Sequence, residues 1–311
     1  MNSKKASGLF LTQIIISIGV TLLLSLGNIP IELGIITNLL LSESMLIIPA
    51  IIFMMVTKEK TKNLISFRKV KISTFFLTLL FTFLLSPLIM AVNAFSMIFT
   101  DNAVMEISSE VLNQPYIVMV LIIGFLGPFC EEYVFRGVIY GAFRKTGKIV
   151  TSIVLQALLF GLMHLNFNQF CYAFVIGVFL ALLVEITDSI WCSFAMHAAI
   201  NSSNVTLMYL TNPYLQENDR MLEMAGMSYT DTMILVACIY LVIAVFTTTI
   251  ALCVLYKMAK LENGIQRVAS IMSKNKEINN QKLISPITIM GIAISFLFII
   301  IVEILKRCIF V

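Results

Sequence analysis

The chain has little charge for its length. Only 12% of its 311 residues are Asp, Glu, Lys or Arg, whereas 59% are hydrophobic. Its mean hydropathy is +0.97. Because soluble domains usually carry about 25% charged residues, this composition excludes an ordinary soluble globule. The sequence therefore predicts a polytopic membrane protein.

The marker motifs of several protein classes are missing as well. The six cysteines show no CxxC spacing and lie mostly in apolar runs, so neither a zinc knuckle nor a disulfide framework is indicated. There is no HExxH, GxGD or GxSG stretch, and the zinc, aspartyl and serine forms of membrane proteolysis therefore fit poorly. No basic segment is interleaved with aromatic residues, so nucleic acid is not an expected partner.

Long apolar runs fill most of the chain instead. A membrane-spanning helix needs about 20 apolar residues. Candidate spans lie near residues 8–28, 34–56, 73–99, 115–140, 149–165, 167–186, 190–210, 231–256 and 285–305. The predicted fold is an all-α transmembrane helical bundle of about eight or nine spans, with the lipid bilayer as a partner.

The basic residues predict the orientation of the bundle. Most Lys and Arg lie before the first span, after the second (58–71), after the fourth (144–148) and after the eighth (257–282). The positive-inside rule places these segments and the N-terminus in the cytoplasm. We expect the plasma membrane of a prokaryote as the location. Lys306 and Arg307 conflict with nine spans, so either the last span is re-entrant or this weak signal is overridden.

Few ionisable side chains interrupt the predicted spans. Each one in the bilayer core costs about 3 kcal/mol or more and needs a reason. Both histidines of the chain are among them. The set is Glu43, Glu131, Glu132, Arg136, His164, His197 with Asn201, and Glu303. The helical rise places the groups of spans four, five and seven at depths compatible with one shared cavity.

Span four contains the stretch "GPFCEEYVFRG". Glu132 and Arg136 are four residues apart and can pair on one helix face. Glu131 is rotated by about 100° from Glu132 and is free to face something else. Gly127 and Pro128 are expected to kink the helix, which a membrane tolerates where the helix lines a cavity. Glu131 is thus a candidate general base that takes a proton from water.

Spans five and seven supply the remaining candidate groups. His197 and Asn201 share a helix face and offer two hydrogen-bond donors to a developing oxyanion. His164 shares a face with Phe160 and can position the water or donate to a substrate carbonyl. A water, a base and oxyanion donors together indicate hydrolysis of an acyl bond.

Three stretches resemble one known family. "EEYVFR" (131–136), "FGLMH" (160–164) and "HAAIN" (197–201) are similar to the EExxxR, FxxxH and HxxxN motifs of the CAAX protease and bacteriocin-processing family, or Abi family, of intramembrane peptidases. The resemblance covers about 100 residues. It implies a type II CAAX prenyl endopeptidase-like core at 113–212, between N-terminal helices at 1–112 and C-terminal helices at 213–311.

The resemblance also implies roles for single residues. Glu131 matches the glutamate that activates water, with His164 as its partner. His197 and Asn201 match the oxyanion-stabilising pair. Glu132 and Arg136 match the supporting pair of the first motif, and Phe160 supports the second. The implied enzyme is an integral-membrane endopeptidase.

The expected substrate is a protein or peptide, in some members a lipidated one. The resemblance implies cleavage near the C-terminus of prenylated CAAX-type proteins or within a membrane-associated peptide. No cofactor is favoured, because the zinc-protease spacing of two histidines is absent. Should a divalent metal such as zinc be needed, Glu131, His164 and His197 would be its ligands.

Other interpretations remain open at this point. Glu132 and Arg136 also fit a helix-stabilising ion pair, and Glu43 fits either a hydrogen bond inside the bundle or a proton relay. Cys130 also fits the nucleophile of a thiol protease, although a buried thiol is poorly activated. The whole chain can instead be a bacteriocin-immunity or envelope-regulatory protein that acts by binding. A transporter is the third class, although no second copy of the span-four motif is found.

Overall fold

The computed structural model describes residues 1–26, 33–211, 226–267, 269 and 282–309. These residues form helices and connections, and they contain no strand apart from an isolated bridge between Phe67 and Ser189. The predicted all-α polytopic bundle is confirmed. The acidic residues at 217–223 and, within the basic segment 257–282, residues 268 and 270–281 lie outside the described part of the chain.

Each of the nine predicted spans corresponds to a helix. The long helices are α1 (Ser3–Leu26), α2 (Ile35–Val56), α3 (Ile72–Met97), α6 (Tyr116–Thr146), α7 (Ile149–Met163), α8 (Phe167–Thr187), α9 (Ile190–Thr211), α10 (Tyr229–Leu261) and α11 (Pro286–Ile309). Short helices α4 (Ala103–Glu106) and α5 (Ser108–Leu112) lie between α3 and α6. By length and composition, seven described helices can cross a membrane, while α7 is shorter and α9 is more polar.

The helices bury one set of apolar residues against each other and expose another set on the outer surface. The main core joins α6 and α7, where Phe135, Ile139, Leu159 and Phe160 are almost fully buried. On α10, by contrast, Phe246 is 68% exposed. An apolar outer surface of this kind is stable against lipid and would be costly in water. The division into three segments stays a prediction, because this arrangement does not test it.

Four connections lie at the end of the bundle that carries the basic residues, here called the basic end (57–71, 144–148, 188–189 and 262–267). Three of them, 57–71, 188–189 and 262–267, are linked by hydrogen bonds. Phe67, between α2 and α3, forms the bridge with Ser189, between α8 and α9. Ser189 Oγ donates to Arg68 O at 2.6 Å. Arg68 Nη2 donates to Glu262 Oε2, also at 2.6 Å, just after α10. These bonds fix the ends of four helices relative to one another.

Glycines on α6 let the α2–α3 connection lie directly against the helix. A Cβ atom at Gly141 would lie 2.5 Å from the backbone oxygen of Leu64, closer than real Cβ contacts. A Cβ at Gly137, one turn earlier, would lie 2.5 Å from Ile65 Cδ1. The backbone oxygen cannot rotate away as a side chain can. Any larger residue at position 141 must therefore displace the connection.

The last helix runs from the basic end to the opposite end. Near its start, Thr288 Oγ1 lies 2.7 Å from Ser7 Oγ at the beginning of α1. Near its finish, Lys306 Nζ donates to Glu106 Oε1 on α4 at 2.6 Å. The helix thus spans the bundle and is not re-entrant. Lys306 and Arg307 therefore lie near the acidic connection, as an exception to the charge pattern. Lys306 forms an ion pair with Glu106 there.

Candidate active site

Helix α6 is not a regular α-helix. It has α-helical geometry at Tyr116–Met119, Gly127–Glu131 and Tyr140–Phe143, and the two intervening stretches, Val120–Leu126 and Glu132–Ile139, are π-helical. π-Helical turns are rare and often occur at functional sites. The expected kink at the glycines and proline thus takes the form of two π stretches, and Glu131 and Glu132 lie at the border of the second.

A free backbone carbonyl results from this geometry. In the first π stretch the N–H of Gly127 bonds to Ile122 O, five residues earlier. The same pattern would pair Ile123 O with the N–H of residue 128, but Pro128 has none. Asn201 Nδ2, on α9, donates to Ile123 O at 3.2 Å instead. The third motif is therefore tied to the first through a carbonyl that proline leaves unpaired.

Glu132 and Arg136 form a buried ion pair. Arg136 Nη1 lies 2.9 Å from Glu132 Oε1, and their side chains are 0% and 1% exposed. The guanidinium carbon of Arg136 lies 4.0 Å from the centre of the Phe160 ring, which covers the flat face of the cation. Phe160 holds the charge in place from α7.

His197 lies between the two glutamates. Its Nδ1 is 2.9 Å from Glu132 Oε1, and its Nε2 is 3.5 Å from Glu131 Oε2. The imidazole is buried, whereas 16% of the Glu131 side chain is exposed. Because an ionised carboxylate only accepts hydrogen bonds, Glu132 holds a proton on Nδ1. Nε2 is then directed at Glu131.

Phe160 contacts three of the other predicted residues. Besides Arg136, the rings of His164 and His197 meet it edge to face, at centroid distances of 5.3 and 5.8 Å. His164 itself ends α7, where its carbonyl accepts a hydrogen bond from Asn166 Nδ2 at 3.1 Å. The phenyl ring thus spaces the two histidines at the centre of the cluster.

Some expected contacts are not made. Within the described residues, no hydrogen bond or ion pair joins His164 to Glu131. No three His, Cys, Asp or Glu side chains of the described part lie close enough together to hold a metal ion. The conditional metal ligands Glu131, His164 and His197 stay a prediction.

One cavity reaches the cluster, and a second lies along α9. The first, of about 10 Å³ and thus roughly the size of one water molecule, reaches Glu132 and is lined mainly by aromatic residues. These are Phe67, Phe129, Tyr133, Trp191 and Phe194, with Ile190. The second, of about 370 Å³, lies along α9 from Ala199 to Leu210, on either side of Asn201 in the sequence.

Sequence reasoning did not assign the aromatic residues around Glu132 to the site. Phe67 comes from the α2–α3 connection, and Trp191 and Phe194 come from the start of α9. Their rings form a continuous series, with centroids 5.9 Å apart for Phe67 and Trp191 and 6.2 Å apart for Trp191 and Phe194. No motif marks them, because only the bridge between two distant connections brings Phe67 to α9.

Comparison with known proteins finds one matched segment, and it contains this cluster. Residues 113–203 match the Rce1-like family, described as Type II CAAX prenyl endopeptidase Rce1-like. The predicted family resemblance is confirmed over this segment. The Rce1-like segment contains all three motifs and every predicted site residue. The matched segment is thus similar to a family of endopeptidases.

A curated relative agrees with that level of description. The chain is 24% identical over 108 residues to a Bacillus subtilis protein described as "Putative membrane peptidase YdiL". The match covers 34% of this chain and 44% of the relative, so the chain spans less than half the length of that protein. No solved structure matches the chain.

Proposed function

We propose that this protein is an intramembrane endopeptidase in which Glu131 activates water. The substrate is a prenylated CAAX-type protein cut near its C-terminus, or a membrane-associated peptide. The observation that carries the proposal is His197 held between Glu131 and Glu132 inside a helical bundle. A general base (Glu131), a donor to the oxyanion (His197) and the carboxylate that stabilises this donor (Glu132) then lie in one site.

The proposed reaction begins at Glu131. Its carboxylate accepts a proton from a water molecule, and the resulting hydroxide attacks the carbonyl carbon of the scissile peptide bond. The carbonyl oxygen becomes an oxyanion. When the carbon–nitrogen bond breaks, Glu131 returns the proton to the leaving amine, so that charge and protons balance. The 16% exposure of Glu131 leaves room for the water.

His197 and Asn201 are the proposed oxyanion donors. His197 can donate from Nε2 only as an imidazolium, and the contact of Nδ1 with Glu132 stabilises that form. The Asn201 amide carries two N–H donors and uses one on Ile123 O. The other remains for the oxyanion. His164 is proposed to orient the water from the other side of Phe160.

Metal-independent catalysis is part of the proposal. It is supported by the absence of the HExxH spacing that is typical of zinc peptidases. The carboxylate of Glu131 and the oxyanion donors supply the groups that hydrolysis needs. A chelator tests this point directly, since a metal-dependent peptidase loses activity and regains it on adding zinc.

The first experiment uses the purified protein in detergent with a quenched fluorescent CAAX peptide, farnesylated or not. Glu131→Gln is expected to lower cleavage by at least about 100-fold, because it removes a general base. Glu303→Gln, which changes a glutamate hydrogen-bonded to Thr100 on the far side of the bundle, is the matched control. Equal cleavage by Glu131→Gln and the wild type would overturn the proposal. Binding of partners would then be the better account.

A further inference from the structure

Helix α2 contributes a carboxylate to the site from outside the Rce1-like segment. Glu43 is on α2, which packs against the Gly127–Glu131 turn of α6. A Cβ atom at Gly127 would lie 3.1 Å from Glu43 Oε1 and 3.6 Å from its carboxyl carbon. The Glu43 carboxyl group therefore occupies the space that the missing side chain leaves.

This place is one helical turn from the proposed base. Gly127 and Glu131 are four residues apart and share a helix face. Side chains in a helix lean toward its N-terminus, so the Glu131 side chain leans back over the turn that begins at Gly127. The two carboxyl groups thus approach the same patch of α6 from different helices.

Each carboxyl group has an atom with an unused hydrogen-bonding capacity. Glu43 Oε2 and Glu131 Oε2 are both buried and have no hydrogen-bond partner among the described residues. Two carboxylate oxygens only accept, so they cannot satisfy each other while both groups are ionised. One proton between them turns two orphaned acceptors into a donor and an acceptor.

The charges around the pair also require such a proton. Three carboxyl groups, Glu43, Glu131 and Glu132, meet one permanent cation, Arg136, and one conditional cation, His197. The other titratable groups nearby are His164, Cys130 and Tyr172, none of which forms an ion pair with a carboxylate in the described part. Even with His197 protonated, three negative charges exceed two positive ones in a buried site. Buried like charges of this kind share a proton.

The charged groups around Glu43 and Glu131 determine which of the two carries the shared proton. Glu131 has His197 Nε2 at 3.5 Å and also feels the charge of Arg136. Glu43 takes part in no ion pair among the described residues. The anion is therefore favoured at Glu131 and the neutral acid at Glu43.

We propose that Glu43 is a positioning residue that, as a neutral carboxylic acid, donates a hydrogen bond to Glu131, directly or through one water molecule. The bond fixes Glu131 Oε2 and leaves the other oxygen for the water that Glu131 activates. This inference rests on the proposed function for its catalytic part. It makes α2 a necessary part of the site, although the matched segment begins only at residue 113.

Cleavage by substituted proteins tests the positioning. Glu43→Gln retains a donor at the place of the acid, so its kcat is expected within about threefold of the wild type. Glu43→Met has similar length and no donor, and a misplaced base is expected to lower kcat by about 10- to 100-fold with little change in KM. If Glu43→Gln is as impaired as Glu43→Met, Glu43 acts as an anion and the proposal is wrong. Wild-type kcat in Glu43→Met would also overturn it.

Infrared spectroscopy tests the proton without any cleavage. The carbonyl stretch of a protonated carboxylic acid, measured at neutral pH and shifted in D₂O, is expected in the wild type. It should disappear in Glu43→Gln and persist in Glu303→Gln. A band unchanged in Glu43→Gln, or none in the wild type, would overturn the proposal. A Glu43-dependent band in a protein that cleaves no peptide would support the pair and count against the peptidase.

Discussion

Glu132 is the residue on which two other buried groups depend. Its Oε1 lies 2.9 Å from both Arg136 Nη1 and His197 Nδ1. The sequence indicated the first contact, because the two residues are one turn apart. The second could not be read from local spacing, since it depends on how α9 is rotated against α6. Glu132 therefore neutralises a cation and orients a catalytic candidate at once.

Removing the charge of Glu132 should affect stability and activity together. Glu132→Gln leaves Arg136 buried without its counter-ion, and breaking a buried pair typically costs about 3–5 kcal/mol. Cleavage should fall as well, because the His197 imidazolium loses its support. Thermal unfolding, followed by the fluorescence of the single tryptophan, Trp191, and the peptide assay measure the two effects.

A double substitution separates the two roles. In Glu132→Leu with Arg136→Met, both charges of the pair are removed, and apolar replacement of a buried pair is often neutral or stabilising. The melting temperature should recover, while cleavage should not. A single variant that melts like the wild type, or a double variant that melts lower than the single one, would contradict this account.

At the scale of elements, proline and asparagine act on the same carbonyl. Pro128 removes the donor that Ile123 O needs in the π-helical stretch, and Asn201 replaces it from α9. The Asn201 side chain on α9 thus takes the place of an N–H that α6 lacks. This hydrogen bond links α6 to α9 at the site. This contact explains why an asparagine is useful on α9 before any substrate is bound.

Asn201→Leu is expected to lower stability by about 1–3 kcal/mol, because it leaves Ile123 O buried without a donor. Adding Pro128→Ala supplies an N–H five residues after Ile123 and should restore the melting temperature. Cleavage should stay low in both variants, since the amide donor for the oxyanion is missing in each. Full activity in the double variant would show that Asn201 serves only the helix contact.

The sequence predicted the positions of the helices better than their hydrogen-bonding pattern, α-helical or π-helical. Apolar runs located α7 at 149–165, and the helix is Ile149–Met163, because a continuous apolar run indicates a helix that is buried in the bundle or in lipid. Gly127 and Pro128 indicated an irregular turn, but a π-helical stretch depends on which carbonyls find partners on other helices. For the same reason the sequence left Glu43 between two interpretations. Its place depends on the packing of α2 against Gly127.

At the scale of the whole molecule, Glu262 holds the connections of the basic end together through hydrogen bonds. Its side chain is 3% exposed and accepts hydrogen bonds from Arg68, the N–H of Lys71 and Thr74 at 2.6, 3.0 and 2.7 Å. The predicted eighth span ended at residue 256, whereas α10 continues to Leu261 and delivers Glu262 to this position. The charge pattern predicted the side of this segment but not its anchoring role.

The hydrogen-bonded carboxyl group of Glu262 makes the stability of the fold depend on pH. Burial alone would raise the pKa of Glu262, but the hydrogen bonds from Thr74, Lys71 and Arg68, together with the charge of Arg68, hold it below its ordinary value. A carboxyl group with a lowered pKa in the folded state stabilises the fold above its unfolded pKa of about 4.3. That stabilisation is lost as the pH falls through the lower, folded value.

Glu262→Gln is therefore expected to lower the melting temperature at pH 7, with a loss of about 2 kcal/mol for hydrogen bonds to a charged group. The difference from the wild type should stay constant down to about pH 5 and shrink below it. Glu106→Gln is the matched control, because its pair with Lys306 is 43% exposed on the Glu106 side and contributes little. A difference that grows in acid would mean that Glu262 is held as a neutral acid. An effect no larger than that of Glu106→Gln would mean that other contacts hold the three connections together.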